Sequence, residues 1–96
     1  MLIQQKQIGH KGKFYVQENG EELAEMVYNM PSADKMIIEH TEVNDALRGK
    51  NVGVQLVMNA VEYARANDIK IIPLCTFAKS VFDRKPEIQD VLFKPE

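Results

Sequence analysis

The hydrophobic period of this chain changes once, across a glycine-bearing turn, and that change limits the folds open to it. Before residue 44 the apolar residues follow strand-like runs; after residue 53 they recur every three or four positions. Strands alternate side chains with period two and helices repeat roughly every 3.6 residues, so the chain passes from sheet to helix at residues 44–53. Upstream, Leu2–Ile8 has the makings of a short edge strand, and Phe14-Tyr15-Val16 is β-rich. Asn19-Gly20 follows, a pair that tolerates positive φ at both centres of a two-residue hairpin. The return strand is Glu22–Met30, with Ala24, Met26, Tyr28 and Met30 on the face predicted to meet the core. Pro31-Ser32-Ala33-Asp34 reads as a turn into the next strand, Lys35–Val43. There Met36, Ile38, His40 and Glu42 are expected on one face and Ile37, Glu39, Thr41 and Val43 on the other.

Downstream, Val54–Asn67 carries a helical stripe of Val57, Ala60, Val61 and Ala64, extended by Leu56 and Val54. Ile69–Leu74 is a compact apolar run. A strand that follows a helix in this way is expected to lie parallel to Lys35–Val43 through a right-handed crossover. Pro73 lacks an N–H, so pairing is expected to loosen there. Ala78–Arg84 makes a second short helix beginning near Thr76, Pro86-Glu87 a turn, and Gln89–Glu96 a tail. The fold class is therefore mixed α/β: an antiparallel meander leading into a β-α-β unit and a second helix, in one domain over residues 1–96.

Composition narrows the function classes. Twelve Lys and Arg against fourteen Asp and Glu give a net charge of −2, which offers no basic face for duplex nucleic acid. A local basic pocket remains open to Lys79, Arg84 and Lys85. No apolar run approaches the roughly 20 residues that span a bilayer, and the first residues have no signal-like apolar core. A single cysteine, Cys75, excludes an internal disulfide and a multi-cysteine metal site. A cytoplasmic setting without nucleic-acid or membrane partners is the expectation.

The turn itself is the richest chemical signal. Arg48-Gly49-Lys50-Asn51-Val52-Gly53 opens a helix, and a helix N-terminus presents unpaired N–H groups and partial positive charge. Glycines let an anion approach that backbone, and Arg48 and Lys50 add charge. The competing reading is a plain strand-to-helix turn with solvated cations. A phosphate loop of the Gly-Lys-Ser/Thr kind is absent, as is a Gly-x-Gly-x-x-Gly dinucleotide fingerprint.

The six residues resemble the pyrophosphate loop of the GNAT acetyltransferase superfamily, Arg/Gln-x-x-Gly-x-Gly/Ala. Arg48 and Gly53 match, and Asn51 stands where the middle glycine is usual. Asn tolerates positive φ better than other non-glycine residues, so the turn can survive. His40-Thr41-Glu42-Val43 before the loop, Pro73-Leu74-Cys75-Thr76-Phe77 after the second strand, and Arg84-Lys85-Pro86-Glu87 after the second helix extend the likeness. Together they resemble the small single-domain GNAT-like group known as YjdJ-type or NATD-type, over about residues 12–92. The resemblance implies acetyl-CoA as co-substrate, held where the two parallel strands splay apart, and a transferase that acetylates an unidentified amine or other small nucleophile. It implies that Thr41, Glu42 and Val43 line pantetheine, that Arg48, Gly49, Lys50, Asn51, Val52, Gly53 and Val54 hold the pyrophosphate, and that Phe77, Phe82 and Lys85 flank the far side. It also implies a cofactor site more firmly than an acceptor site, so a non-catalytic coenzyme A-binding module or sensor is the alternative.

Two residues are candidates for catalysis. Cys75 precedes a helix whose N-terminus favours a thiolate, and His40 is expected on the adjacent strand within reach of it. His40 is also a candidate general base for an amine. Each has a simpler reading, Cys75 as a small buried hydrophobe and His40 as a hydrogen-bonded structural residue. Direct transfer and transfer through Cys75 both remain open.

Overall fold

The computed structural model describes residues 1–95. Its centre is a five-stranded sheet in the order β1-β2-β3-β4-β5. The strands are β1 (Gln4–Ile8), β2 (Lys11–Glu18), β3 (Glu21–Ser32), β4 (Lys35–Val43) and β5 (Lys70–Pro73). The first four pair antiparallel and β5 pairs parallel with β4, as the strand-helix-strand order requires. Asn19 and Gly20 both have positive φ, at 53° and 80°, and the β2–β3 hairpin turns on them with Glu18 opposite Glu21. Leu2 lies outside β1 and is exposed.

Alternation puts Phe14, Val16, Ala24, Met26, Tyr28, Met36 and Ile38 on one face of the sheet, all buried. Helix α1 (Val52–Asn67) lies against that face through Val52, Leu56, Val57, Ala60, Val61 and Ala64. The stripe is the predicted one except at its start, where Val52 is buried and Val54 is only half-buried. Each such fully buried aliphatic side chain contributes about 1.5–3 kcal/mol. The helix ends at Asp68, which takes a left-handed φ of 54° while its N–H and that of Ile69 return to the Ala64 carbonyl. Helix α2 (Thr76–Arg84) adds Ala78, Val81 and Phe82 to the same core. On the other face of the sheet Tyr15, Glu25 and Val27 are half-buried and His40 and Glu42 exposed. No helix of the described residues is long and apolar enough to cross a membrane.

The expected tail is structural instead. Residues Pro86–Val91 form a 3-10 helix that buries Ile88 and Val91. Leu92 then bridges Ile71 in parallel, with Phe93 N donating to the Ile71 carbonyl at 2.9 Å, so this segment shields the free edge of β5. Arg65 clamps it to α1. Its guanidinium grips both carboxylate oxygens of Asp90, at 3.0 and 2.8 Å, and donates to the Glu87 carbonyl at 2.8 Å. Glu96, the last residue of the expected tail, lies outside the described residues.

Candidate functional site

The site begins with an extra residue in β4. Tyr28 pairs with Ile38, but the preceding Val27 pairs with His40, leaving Glu39 as a bulge. A bulge bends its strand and resets the alternation. Thr41 and Val43 consequently fall on the core face, opposite buried Met26 and Ala24, while His40 and Glu42 face outward opposite Val27 and Glu25. The expectation that Met36, Ile38, His40 and Glu42 share one face is therefore corrected at Glu39.

Beyond the bulge β4 and β5 part. Their pairing runs from Lys35↔Lys70 to Ile38↔Pro73 and stops, leaving Glu39–Val43 without a partner on the β5 side among the described residues. The cause differs from the one read in the sequence. Lys70 N donates to Asp34 O and Leu74 N to Ile38 O, whereas Phe93 N donates to Ile71 O. Residues 70, 72 and 74 thus face β4, and residues 71 and 73 face the outer edge. The donor that Pro73 lacks would have pointed away from β4. The strands separate because β4 bends at Glu39 and because β5 turns into α2, with Leu74 N and Cys75 N both converging on the Ile38 carbonyl, at 3.0 and 3.1 Å.

The opening leads to the N-terminus of α1. Asn44 accepts a hydrogen bond from Ala46 N at 2.8 Å and starts the short 3-10 turn Asp45–Leu47. Gly49 then takes φ 83° and Asn51 φ 58°. Asn51 therefore adopts the left-handed conformation a glycine would supply, and its side chain makes no capping bond. The first backbone bond of α1 runs from Gln55 N to Asn51 O at 3.1 Å. The N–H groups of Val52, Gly53 and Val54 precede that bond and have no acceptor among the described residues. A cleft of about 510 Å³ joins these parts. Its walls are Thr41 and Val43 of β4, the turn from Leu47 to Val54 apart from Lys50, and Phe77 and Arg84 of α2. Gly53 is needed here for closeness: a Cβ on it would meet the Phe77 ring at 2.6 Å.

Cys75 stands at the N-cap of α2, on the cleft side of the sheet, with Sγ 3.4 Å from Thr41 Oγ1. Burial pushes the thiol's pKa up, but hydrogen bonds from Thr41 and from the backbone N–H groups of Ala78 and Phe77 outweigh it and hold the pKa below the ordinary cysteine value. Its partner is Thr41. His40, expected beside it, points to the opposite face, where its Nε2 lies 3.6 Å from Glu42 Oε1 and the donor atoms of Glu25, His40 and Glu42 all lie within 4.8 Å.

The structure thus brings Thr41, Val43, Arg48, Gly49, Asn51, Val52, Gly53, Val54 and Phe77 to one cleft and leaves other expected residues off it. Glu42 faces outward. Lys50 lies outside the lining, its carbonyl held by Gln55 Nε2. Phe82 is 1% exposed and packs in the core, and Lys85 is the C-cap of α2. Both lie away from the cleft because α2 shows it the Phe77–Arg84 side. Arg48 is at the cleft, but its guanidinium binds Asp45 at 2.8 Å. Arg84, read in the sequence as one of a basic trio and in the Arg84–Glu87 segment of the resemblance but not as a site residue, and Leu47 complete the lining.

Comparison with known proteins agrees with this arrangement. A family profile described as GCN5-related N-acetyl-transferase matches residues 13–91. A GCN5-like protein from Staphylococcus aureus is 37% identical, with a TM-score of 0.72 over 97% of this chain and 90% of that one. A ribosomal-protein-alanine N-acetyltransferase from Brucella melitensis shares the fold at 10% identity and TM-score 0.64, over 91% of this chain and 64% of its own. An aminoglycoside N-acetyltransferase, AAC(6')-Iy, solved in complex with CoA, does so at 14% identity and TM-score 0.58, over 93% and 78%. Comparison with curated proteins gives no match. The family match covers most of the chain and includes every wall of the cleft, and on it the chain belongs to the GCN5-related N-acetyltransferase family.

Proposed function

We propose that this chain binds acetyl-CoA in the opening between β4 and β5 and transfers the acetyl group to an amine, in a cytoplasmic setting, as one of the small single-domain YjdJ-type or NATD-type members of its family. One observation carries the reading: the unpaired edge of β4 and the unpaired N–H groups of α1 open into the same cleft. An extended chain of amides can add to such an edge as a further strand, and a diphosphate suits a helix N-terminus. Pantetheine followed by pyrophosphate has both in that order. The CoA complex of the aminoglycoside enzyme supports the same reading.

Bound acetyl-CoA supplies an acyl thioester open to attack by an amine. Thr41 and Val43 hold its arm, and the backbone of Val52–Val54 its diphosphate. For direct transfer, His40 on the outward face is the candidate to take the proton from the amine, with Glu42 beside it. For transfer through the protein, Cys75 on the cleft face attacks the thioester carbonyl, the C–S bond to coenzyme A breaks, and coenzyme A leaves with the thiol proton. The two routes use opposite faces of β4, so His40 does not assist Cys75.

The test is to titrate acetyl-CoA into ¹⁵N-labelled protein and then follow thiol release with and without small primary amines. Shifts at residues 41–54 with amine-dependent release are the expected result. Binding without release makes the chain a coenzyme A-binding module, and no shifts in that stretch abandon the reading. Intact-mass analysis separates the routes. An acetyl adduct that hydroxylamine removes and Cys75→Ala abolishes supports Cys75. Wild-type transfer by Cys75→Ala leaves the direct route.

A further inference from the structure

The charges around the cleft are not equivalent, and the difference bears on which thioester the chain accepts. Arg48, the loop cation that lines the cleft, has one terminal nitrogen on Asp45 Oδ1. Arg84 is differently placed. It lies seven residues after Phe77 on α2, two helical turns along the same side, and it lines the cleft opposite the loop. Its Nε donates to the Ser80 carbonyl at 3.1 Å, which fixes the plane of the guanidinium at its root. Neither terminal nitrogen has an acceptor among the described residues. The adjacent carboxylate, Asp83, is engaged by Lys79 at 3.2 Å. Arg84 is thus a guanidinium anchored through Nε at the wall of the cleft, with both terminal nitrogens open among the described residues.

We infer that Arg84 is a specificity-determining residue. It binds the phosphates at the nucleotide end of the donor, and so selects free coenzyme A thioesters over pantetheine thioesters that lack a nucleotide. A planar fork with open donors matches phosphate oxygens two at a time. Arg48 supplies less, because one of its terminal nitrogens is shared with Asp45, although in an exposed pair that holds only weakly. The inference rests on the coenzyme A reading above and adds to it the residue that reads the charged end.

Titration calorimetry with coenzyme A and with pantetheine tests it, using wild type, Arg84→Gln, Arg84→Lys and Arg48→Gln, each checked for an unchanged amide spectrum. Arg84→Gln is expected to weaken coenzyme A binding about 10- to 100-fold, the loss of a charge-assisted hydrogen bond, and to leave pantetheine binding unchanged. Arg84→Lys is expected to recover part of the loss, and Arg48→Gln to cost less than Arg84→Gln. Equal coenzyme A affinity in wild type and Arg84→Gln overturns the inference while the cofactor reading stands. An equal loss for pantetheine overturns it too, since the effect is then one of shape. No coenzyme A binding by wild type overturns the cofactor reading itself and this inference with it.

Discussion

Gly53 and Phe77 share one space, and the sharing predicts how substitutions combine. A Cβ at position 53 would lie 2.6 Å from the Phe77 ring, so Gly53→Ala must push the ring aside. Phe77 is 37% exposed and can swing toward solvent, and Ala favours a helix over Gly. Gly53→Ala is therefore expected to change stability by no more than about 1 kcal/mol, and to be more favourable by a measurable margin in a Phe77→Ala background. Urea denaturation of the four proteins measures the coupling; additive effects would show that the two residues are independent. Asn51 makes the opposite case. Its left-handed backbone needs no side chain, so Asn51→Gly should retain or tighten coenzyme A binding, and weaker binding by the folded variant would give the amide a contact of its own. Cys75 depends on Thr41 in turn. Alkylation by iodoacetamide should titrate below an unperturbed cysteine, and Thr41→Val should move the midpoint upward, because burial stays while a donor is lost. A midpoint unmoved by Thr41→Val would place the control in the backbone of Thr41, Phe77 and Ala78. The glycines and Asn51 of the loop were legible from turn chemistry, whereas Thr41 and Phe77 came only through the family resemblance, which also carried Glu42, Phe82 and Lys85, all off the cleft. The inequality of Arg48 and Arg84 was not legible, since it depends on a carboxylate that Arg48 meets and Arg84 does not.

At the scale of elements, legibility followed the strength of the local signal. Asn19-Gly20 names its own turn, and the α1 stripe repeats over four turns, so both stand where the sequence puts them. The bulge at Glu39 has no such signature. Met36–Ile38 is apolar throughout and conceals the phase of the strand, so the faces of His40 and Thr41 were exchanged. The C-terminal 3-10 helix is too short to show a period, and its buried residues Ile88 and Val91 gain meaning only from α1 and β5. That segment is held by Arg65 and Asp90, and its stability should depend on acid. The Arg65 guanidinium holds the Asp90 carboxyl below the usual carboxylate range. A carboxylate with a lowered folded-state pKa stabilises the fold above its unfolded value and loses that contribution as pH falls through the folded one. Stability should therefore decline below the ordinary aspartate value of 3.8, and Asp90→Asn should flatten that decline while lowering stability at neutral pH. Thermal melts from pH 7 to 2 test this; parallel pH profiles for the two proteins would remove the clamp from the account.

At the scale of the whole molecule, a single inserted residue links the sheet to the cleft. The parallel pair β4–β5 is held closed at Lys35–Ile38 and open beyond it. Two features open it, the bend at Glu39 and the turn of β5 into α2. Deleting Glu39 separates them. Without it Ile38 still pairs with Tyr28 and His40 with Val27, so Thr41↔Met26 and Val43↔Ala24 keep their partners and the core face is unchanged. What is lost is the bend, along with an exposed ion pair to Lys11 that contributes little. The straightened strand can continue toward β5, and the space for an added chain narrows. The deletion is expected to fold, with α1 amide shifts like those of wild type, and to bind coenzyme A at least about tenfold more weakly, a change of roughly 1.4 kcal/mol. Pro73→Val is the contrasting substitution. It restores an N–H that faces the outer edge, so the opening and the affinity should stay as they are. If the Glu39 deletion binds as wild type does, the bulge is incidental to the opening. If Pro73→Val weakens binding as much, the proline shapes the splay after all, and the bend in β4 is not what sets it.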